Sequence, residues 1–244
     1  MAGQNPSGMA FPSLDDFARN EVGIKGKVEL IWQPLFDWNI YPTAGVNQLN
    51  FFSTPIGQGQ SAQQAAAAAA KTASDTNLSQ TGMLPAPQAF WVDGIEVCVD
   101  PGGSATANLW QVAVPTITLA AAAAASNVIA NDFQRISKSG ILTFSIMSKI
   151  YYQESPLNRF PQRSAVRADM AYGDNSATAV SLSTTLPRND GTGVRFDPGL
   201  GIATSTNFSV AINWPALVTT TAPGSGFNAR IGVFLNGWLF RAAQ

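Results

Sequence analysis

The sequence predicts an all-β protein built as an antiparallel sandwich or barrel, and three observations carry that expectation. Apolar and polar residues alternate with the strand period in segment after segment. Turn-forming dipeptides separate those segments, and no strand–helix–strand rhythm of the kind a parallel sheet requires runs through the chain.

Taken in chain order, Val28, Leu30 and Trp32 open the first segment with a shared half-buried face. Leu49 to Ser53 is a second extended candidate, and Trp91, Ile95, Val97 and Val99 mark a third. Leu109 to Leu119 follows. Ile141 to Tyr152 alternates over a longer span, with Leu142, Phe144, Ile146, Ser148, Ile150 and Tyr152 on one face and Thr143, Ser145 and Lys149 on the other. Val180 to Thr185 and Val194 to Phe196 are shorter. Thr206 to Trp214 is the cleanest strand, with Phe208, Val210, Ile212 and Trp214 opposite Ser209, Ala211 and Asn213. The total is about eight to ten strands.

Turn chemistry lies at Pro42, Pro101-Gly102-Gly103, Asn189-Asp190-Gly191, Asp197-Pro198-Gly199 and Pro223-Gly224. Asn236-Gly237, set between Ile231, Val233, Leu235 and Trp238, Phe240, reads as a type I′ hairpin turn or as a strand bend. Two alanine tracts, Ser61 to Ser74 and Ala120 to Ala130, interrupt the strand pattern. Alanine favours helix and disfavours strand, so each predicts a short helix or an ordered loop lying close against a sheet or another subunit.

The composition argues for a surface more than for a reaction. Among 244 residues there is no histidine, one cysteine and only 12% charged residues, against a usual share of about 25%. Histidine is the ordinary proton carrier near neutral pH and the commonest metal ligand, so its absence removes Ser-His-Asp and Cys-His machinery. Gly102-Gly103 and Gly199-Leu200-Gly201 lack the following lysine and hydroxyl residue of a phosphate loop. The acidic groupings are Asp15-Asp16, Asp93 with Glu96 and Asp100, and Asp169 with Asp174. For the second, strand-edge and turn positions are a simpler reading than a glycosidase pair. The expectation is therefore no enzyme, no catalytic, metal or cofactor-binding residue, and no cofactor.

A chain that keeps 45% hydrophobic residues and six tryptophans while giving up charge is expected to bury much of its exterior against other chains. Cys98 has no partner for an internal disulfide and reads as a small buried strand residue. The N-terminus, with Pro6, Pro12, Asp15 and Asp16, lacks the order of a secretory signal, which fits folding in a cytoplasm. Val112 to Ala130 has the length of a membrane span, but Pro115, Ser126 and Asn127 argue against insertion.

Nucleic-acid contact has little support. Residues 1–27, read as an N-terminal arm, hold Arg19, Lys25 and Lys27 against Asp15, Asp16 and Glu21, a balance of 3 − 3 = 0. Arg159, Arg163 and Arg167 form the densest cationic stretch. Pro161 among them indicates a loop, which either pairs with carboxylates of an adjacent subunit or is solvated.

Several strings carry a resemblance. Phe17-Ala18-Arg19, Thr76-Asn77-Leu78, the run from Leu84 to Ile95, the run from Tyr152 to Pro161, and the ending from Phe208 to Pro215 and from Arg230 to Arg241 resemble jelly-roll capsid proteins of tailless icosahedral bacteriophages. The likeness rests on strand-and-turn texture from about Phe17 to the C-terminus, without a chemical signature. It implies a virion shell protein, often in particles with an internal membrane, assembled from trimeric or pseudo-hexameric capsomers.

Because the chain is short for two full sandwiches, a single elaborated jelly roll over residues 28–244 with short alanine-rich helical insertions is expected. Its implied partners are other copies of itself, other capsid or vertex proteins and an internal membrane, with no sequence-specific nucleic-acid binding. Its implied location is the virion, after assembly in host cytoplasm. The alternative is a carbohydrate-binding or adhesin β-sandwich, in which Trp32, Trp38, Trp91 or Trp238 would stack on sugars.

Overall fold

The computed structural model describes residue 17 and residues 27–62, 69–100, 103–104, 135–157, 165–173, 180–188, 193–220, 226–227 and 229–242. Within them the chain is all-β and its strand pairs are antiparallel.

The strands are β1 (Val28–Trp32), β2 (Leu35–Tyr41), β3 (Gln48–Phe51), β4 (Ala89–Asp100), β5 (Gly103–Ser104), β6 (Ile141–Ile146), β7 (Lys149–Glu154), β8 (Ala165–Gly173), β9 (Val180–Arg188), β10 (Val194–Ile202), β11 (Phe208–Asn213), β12 (Gly226–Phe227) and β13 (Ala229–Ala242). A five-stranded sheet runs β1-β13-β4-β10, with β2 also paired to β13, and a four-stranded sheet runs β3-β11-β6-β7. Strands β5 and β12 pair with each other, as do β8 and β9.

The pairing is nested. Strand β2 pairs with β13, β3 with β11, β4 with β10, and β6 with β7, so the first strand of this set meets the last and each later pair lies inside the previous one. The two sheets share one core. Phe90, Val92, Ile95, Val97, Ile231, Val233 and Leu235 from the larger sheet meet Leu142, Phe144, Ile146, Phe208, Val210 and Ile212 from the smaller. The alternation of Thr206 to Trp214 thus points Phe208, Val210, Ile212 and Trp214 inward, as expected from the sequence.

Strands β1 and β2 are two pieces of one ladder. Trp32 faces Trp238 and Leu35 faces Leu235, so a single register against β13 continues across the gap. Gln33 N still donates to Gly237 O at 3.1 Å, and the ladder breaks at Pro34, which has no N–H to give.

Several expectations are corrected. Of the two readings of Asn236-Gly237 the hairpin turn fails and the position within a strand holds: it lies inside β13, where the register with β4 slips by one residue at Asp93. Asp197-Pro198-Gly199 is not a turn between strands either. It lies within β10, in the stretch between Arg195 and Leu200 where the ladder to β4 breaks at the same Asp93, so Pro198 has no ladder bond to supply.

Ile141 to Tyr152 is two strands. Met147, with φ +55° and its side chain exposed, turns the chain, and the extra residue Tyr151 in β7 rotates Ile150 out to solvent. At the first alanine tract, the described flanks 61–62 and 69–74 are not helical. They are tied together by the Asp75 carboxylate, as set out below. The helical run that is described, residues 135–139, is anchored by Trp214 Nε1 donating to Ile136 O at 3.0 Å.

Residues 63–68, the tract Ala120 to Ala130, Leu109 to Leu119, Asp15-Asp16, Arg159, Arg163, Asp174, Pro101-Gly102, Asn189-Asp190-Gly191, Pro223-Gly224 and most of the arm lie outside the described residues. Arg167 and Asp169 are backbone positions on β8.

Candidate assembly surface

Strand alternation that sends Ile231, Val233, Leu235 and Leu239 of β13 inward must send Arg230, Gly232, Phe234, Asn236, Trp238 and Phe240 outward. The partners in register on that outer face are Ile40, Trp38 and Phe36 of β2, Trp32, Leu30 and Val28 of β1, and Trp91 and Ala89 of β4. An antiparallel sheet with one solvated face ordinarily carries polar residues there. This one carries aromatics.

They fall into two clusters. In the first, Phe234 stacks on Phe36 with centroids 5.8 Å apart and meets Trp38 edge-on at 5.8 Å. The Arg230 guanidinium sits 5.1 Å from the centre of the Trp38 ring, and Gly232 leaves room for that indole, since a Cβ there would lie 2.6 Å from it. In the second cluster Trp32 meets Trp238 edge-on at 5.1 Å, while Phe17 packs on Trp91 at 5.4 Å and on Phe240 at 5.5 Å. The rung between the clusters is polar, with Asn236 Nδ2 donating to Glu96 Oε1 at 2.8 Å.

Phe17 is buried, so the region read as an N-terminal arm holds one residue seated on the outer face. Gly201 permits the seat: a Cβ there would come within 2.3 Å of the Phe17 ring. The face is open at its β1 end, while Arg230 and Glu96 on it are buried. Trp32 is 55% exposed, and Leu30 and Val28 are also exposed, so the alternation of β1 was correctly periodic but its apolar row faces outward, not into the core. Trp38, Trp238, Phe36 and Phe234 are half-buried.

The acidic grouping on β4 is dispersed by the fold. Asp93 occupies the bulge, Glu96 is buried on the outer face against Asn236, and Asp100 ends the strand opposite Arg230. Strand β10 pairs with β4 only as far as Ile95, so Asp93 lies between two paired strands while Glu96 and Asp100 are in register with β13 alone. Cys98 is half-buried on the same face, opposite Gly232, not in the core.

Sequence reasoning missed a polar cluster beneath the sheet. Asp37 points inward from β2 and is buried, and Lys71 Nζ reaches it from the long β3–β4 connection at 2.6 Å. Phe52 N donates to the other oxygen at 2.7 Å. Burial pushes the Asp37 carboxyl above its ordinary value, and Lys71 with the hydrogen bonds only partly offsets that. Asp75 accepts from Ser61 Oγ at 2.8 Å, Ala62 N at 2.8 Å, Thr72 N at 2.9 Å and Thr72 Oγ1 at 3.1 Å. Its backbone carbonyl also accepts from Trp38 N at 2.8 Å.

The outer edge of β2 is thereby covered by residues 75–77, with Asp37 bridged to Thr76 and Phe36 N donating to Asn77 Oδ1. One signal was available. Lys71 is the only charged residue between Asp37 and Asp75.

Among the described residues there is no cluster of three or more potential metal ligands, and no helix is long and apolar enough to cross a membrane. No protein-family model, curated protein or solved structure matches the chain.

Proposed function

We propose that this chain is a coat subunit of an icosahedral virion, a single elaborated jelly roll that associates with copies of itself through the outer face of its larger sheet. The observation that carries the reading is that face: Trp32, Trp38, Trp238, Phe36 and Phe234 line the side of the sheet opposite the core. Aromatic residues are enriched at association surfaces because they bury large areas at low entropic cost, while a solvated sheet face would carry polar residues.

The nested pairing supports the jelly-roll part. If β2, β3, β4, β6, β7, β10, β11 and β13 are counted first to eighth, one sheet runs first-eighth-third-sixth and the other second-seventh-fourth-fifth. A ribbon of nested antiparallel pairs rolled up into two sheets produces that order. A charged fraction of only 12% fits a molecule surrounded by neighbours, and a closed shell also covers sheet edges.

The test is assembly. Sedimentation and electron microscopy of the purified protein should show capsomers or shells with contacts burying well over about 1,000 Å², and a folded monomer at micromolar concentration would sink the reading. The sugar-binding alternative draws on exposed Trp32 beside Trp238. It requires the opposite outcome, a monomer that retains a saccharide.

A further inference from the structure

The edges of the two sheets are not treated alike. The edge of β2 is covered by residues 75–77. The edge at β10 is interrupted by Pro198 and by a broken register between Arg195 and Leu200 that contains the charged Asp197. Strand β3 is only four residues long, and β7 carries a bulge at Tyr151 and begins with Lys149. Short strands, bulges, prolines, charges and covering loops are the means by which proteins prevent edge-to-edge pairing.

Strand β1 is guarded by much less: its one charge, Glu29, is paired with Arg241 of the adjacent β13, and no described segment covers it. Over five residues it has no proline, no bulge and an unbroken register with β13, and its outward row of Val28, Leu30 and Trp32 is exposed. Among the described residues nothing pairs with its other edge.

We propose that this edge of β1 pairs antiparallel with β1 of a second copy of the chain, about a two-fold axis at Leu30. The inference rests on the self-associating reading above and names the contact. That register overlaps all five residues of both strands. It sets Leu30 against Leu30 of the second copy and Val28 against Trp32, so the exposed row of each copy completes the other on one face.

Charge is compatible with the pairing. Lys27 would face Gln33 and Glu29 would face Ile31, so no like charges stand opposite each other, and Glu29 is already neutralised by Arg241 Nε at 2.6 Å. The pairing would also join the aromatic outer faces of two sheets into one continuous surface. A two-fold contact of this kind is isologous and closed, which suits a defined interface within a larger assembly.

The experiment places a cysteine on the axis. In the full chain carrying Cys98→Ser, Leu30→Cys should form an intermolecular disulfide under mild oxidation, because facing residues of antiparallel strands bring their Cα atoms to about 4.5–5.5 Å, within the span of a disulfide. Ile150→Cys, more exposed than Leu30 but on the bulged β7 edge, should not. Leu30→Lys, a charge at an exposed position, should weaken self-association roughly tenfold or more while leaving the thermal midpoint of the separated subunit unchanged.

Oligomers that form in the Leu30→Lys chain as readily as in the unaltered chain, or that give no Leu30→Cys cross-link, overturn the β1 pairing and leave the coat reading standing. An unaltered chain that stays monomeric overturns both.

Discussion

Lys71 Nζ lies 2.6 Å from Asp37 Oδ1, and with side chains 2% and 0% exposed the pair is closed off from water. Each charge is tolerable inside only because of the other. The contact ties the middle of β2 to the far end of the alanine-rich connection, and so fixes where that connection crosses the sheet.

Removing one partner should therefore cost much more than removing both. Lys71→Met alone, or Asp37→Leu alone, is expected to lower the unfolding free energy by about 3–5 kcal/mol, because the survivor is left charged and buried. The double replacement should recover most of that loss. Denaturant titration of the three variants checks this, and additive losses in the double variant would show that the two groups do not interact.

Asp75 gives the fold a dependence on acid. Burial raises its carboxyl, but the bonds from Thr72, Ser61 and Ala62 outweigh burial and leave it below the ordinary value of 3.8. A depressed carboxylate contributes stability that is present above the unfolded value and lost as pH falls through the folded one. The loss should appear below about pH 4, and Asp75→Asn should flatten it there. Asp37, shifted upward, acts in the opposite sense, its contribution falling as pH rises through its own value. Unfolding midpoints for native and Asp75→Asn chains between pH 3 and 6 measure the difference, and identical slopes would refute the assignment.

Periodicity in the sequence was enough to read the core strands, because a residue such as Phe144 or Ile212 must alternate with polar neighbours wherever one face is buried. Alternation says which residues share a face and not which way the face points. The row Val28, Leu30, Trp32 has the same period as Leu142, Phe144, Ile146, yet one faces out and the other in. Bulges were invisible for a related reason. Asn236-Gly237 and Asp197-Pro198-Gly199 have turn chemistry, and both serve instead to accommodate the slip at Asp93 on the two sides of β4. The outer aromatic surface needed the register of β2 against β13, which pairs residues far apart in the chain, as Leu35 with Leu235, 200 positions on.

Gly237 is the residue that lets the slip happen. A Cβ there would fall 1.8 Å from the Trp91 carbonyl oxygen, which is backbone and cannot step aside without moving β4. Gly237→Ala should cost about 3 kcal/mol or more. Gly57, at φ +85° with open space around it, is the comparison, and Gly57→Ala should cost only the left-handed backbone penalty of about 1–2 kcal/mol. Equal losses would show that β4 yields freely at Trp91.

Phe17 lies outside the shared core, where it covers Trp91 and Phe240 on the outer face. Truncating it by Phe17→Ala should cost about 3 kcal/mol, the low end for a buried phenylalanine, because the seat opens to solvent and does not leave a sealed void. Trp91 should then become accessible, shifting tryptophan emission to the red and increasing its quenching by iodide. Gly201→Val approaches the same state from the other side, because its Cβ would stand 2.3 Å from the Phe17 ring and must expel it. The two variants should give matching spectra, and their combination should be little worse than either alone. A Phe17→Ala chain with unchanged quenching and a loss below about 0.5 kcal/mol would mean that the outer face does not hold this residue in solution.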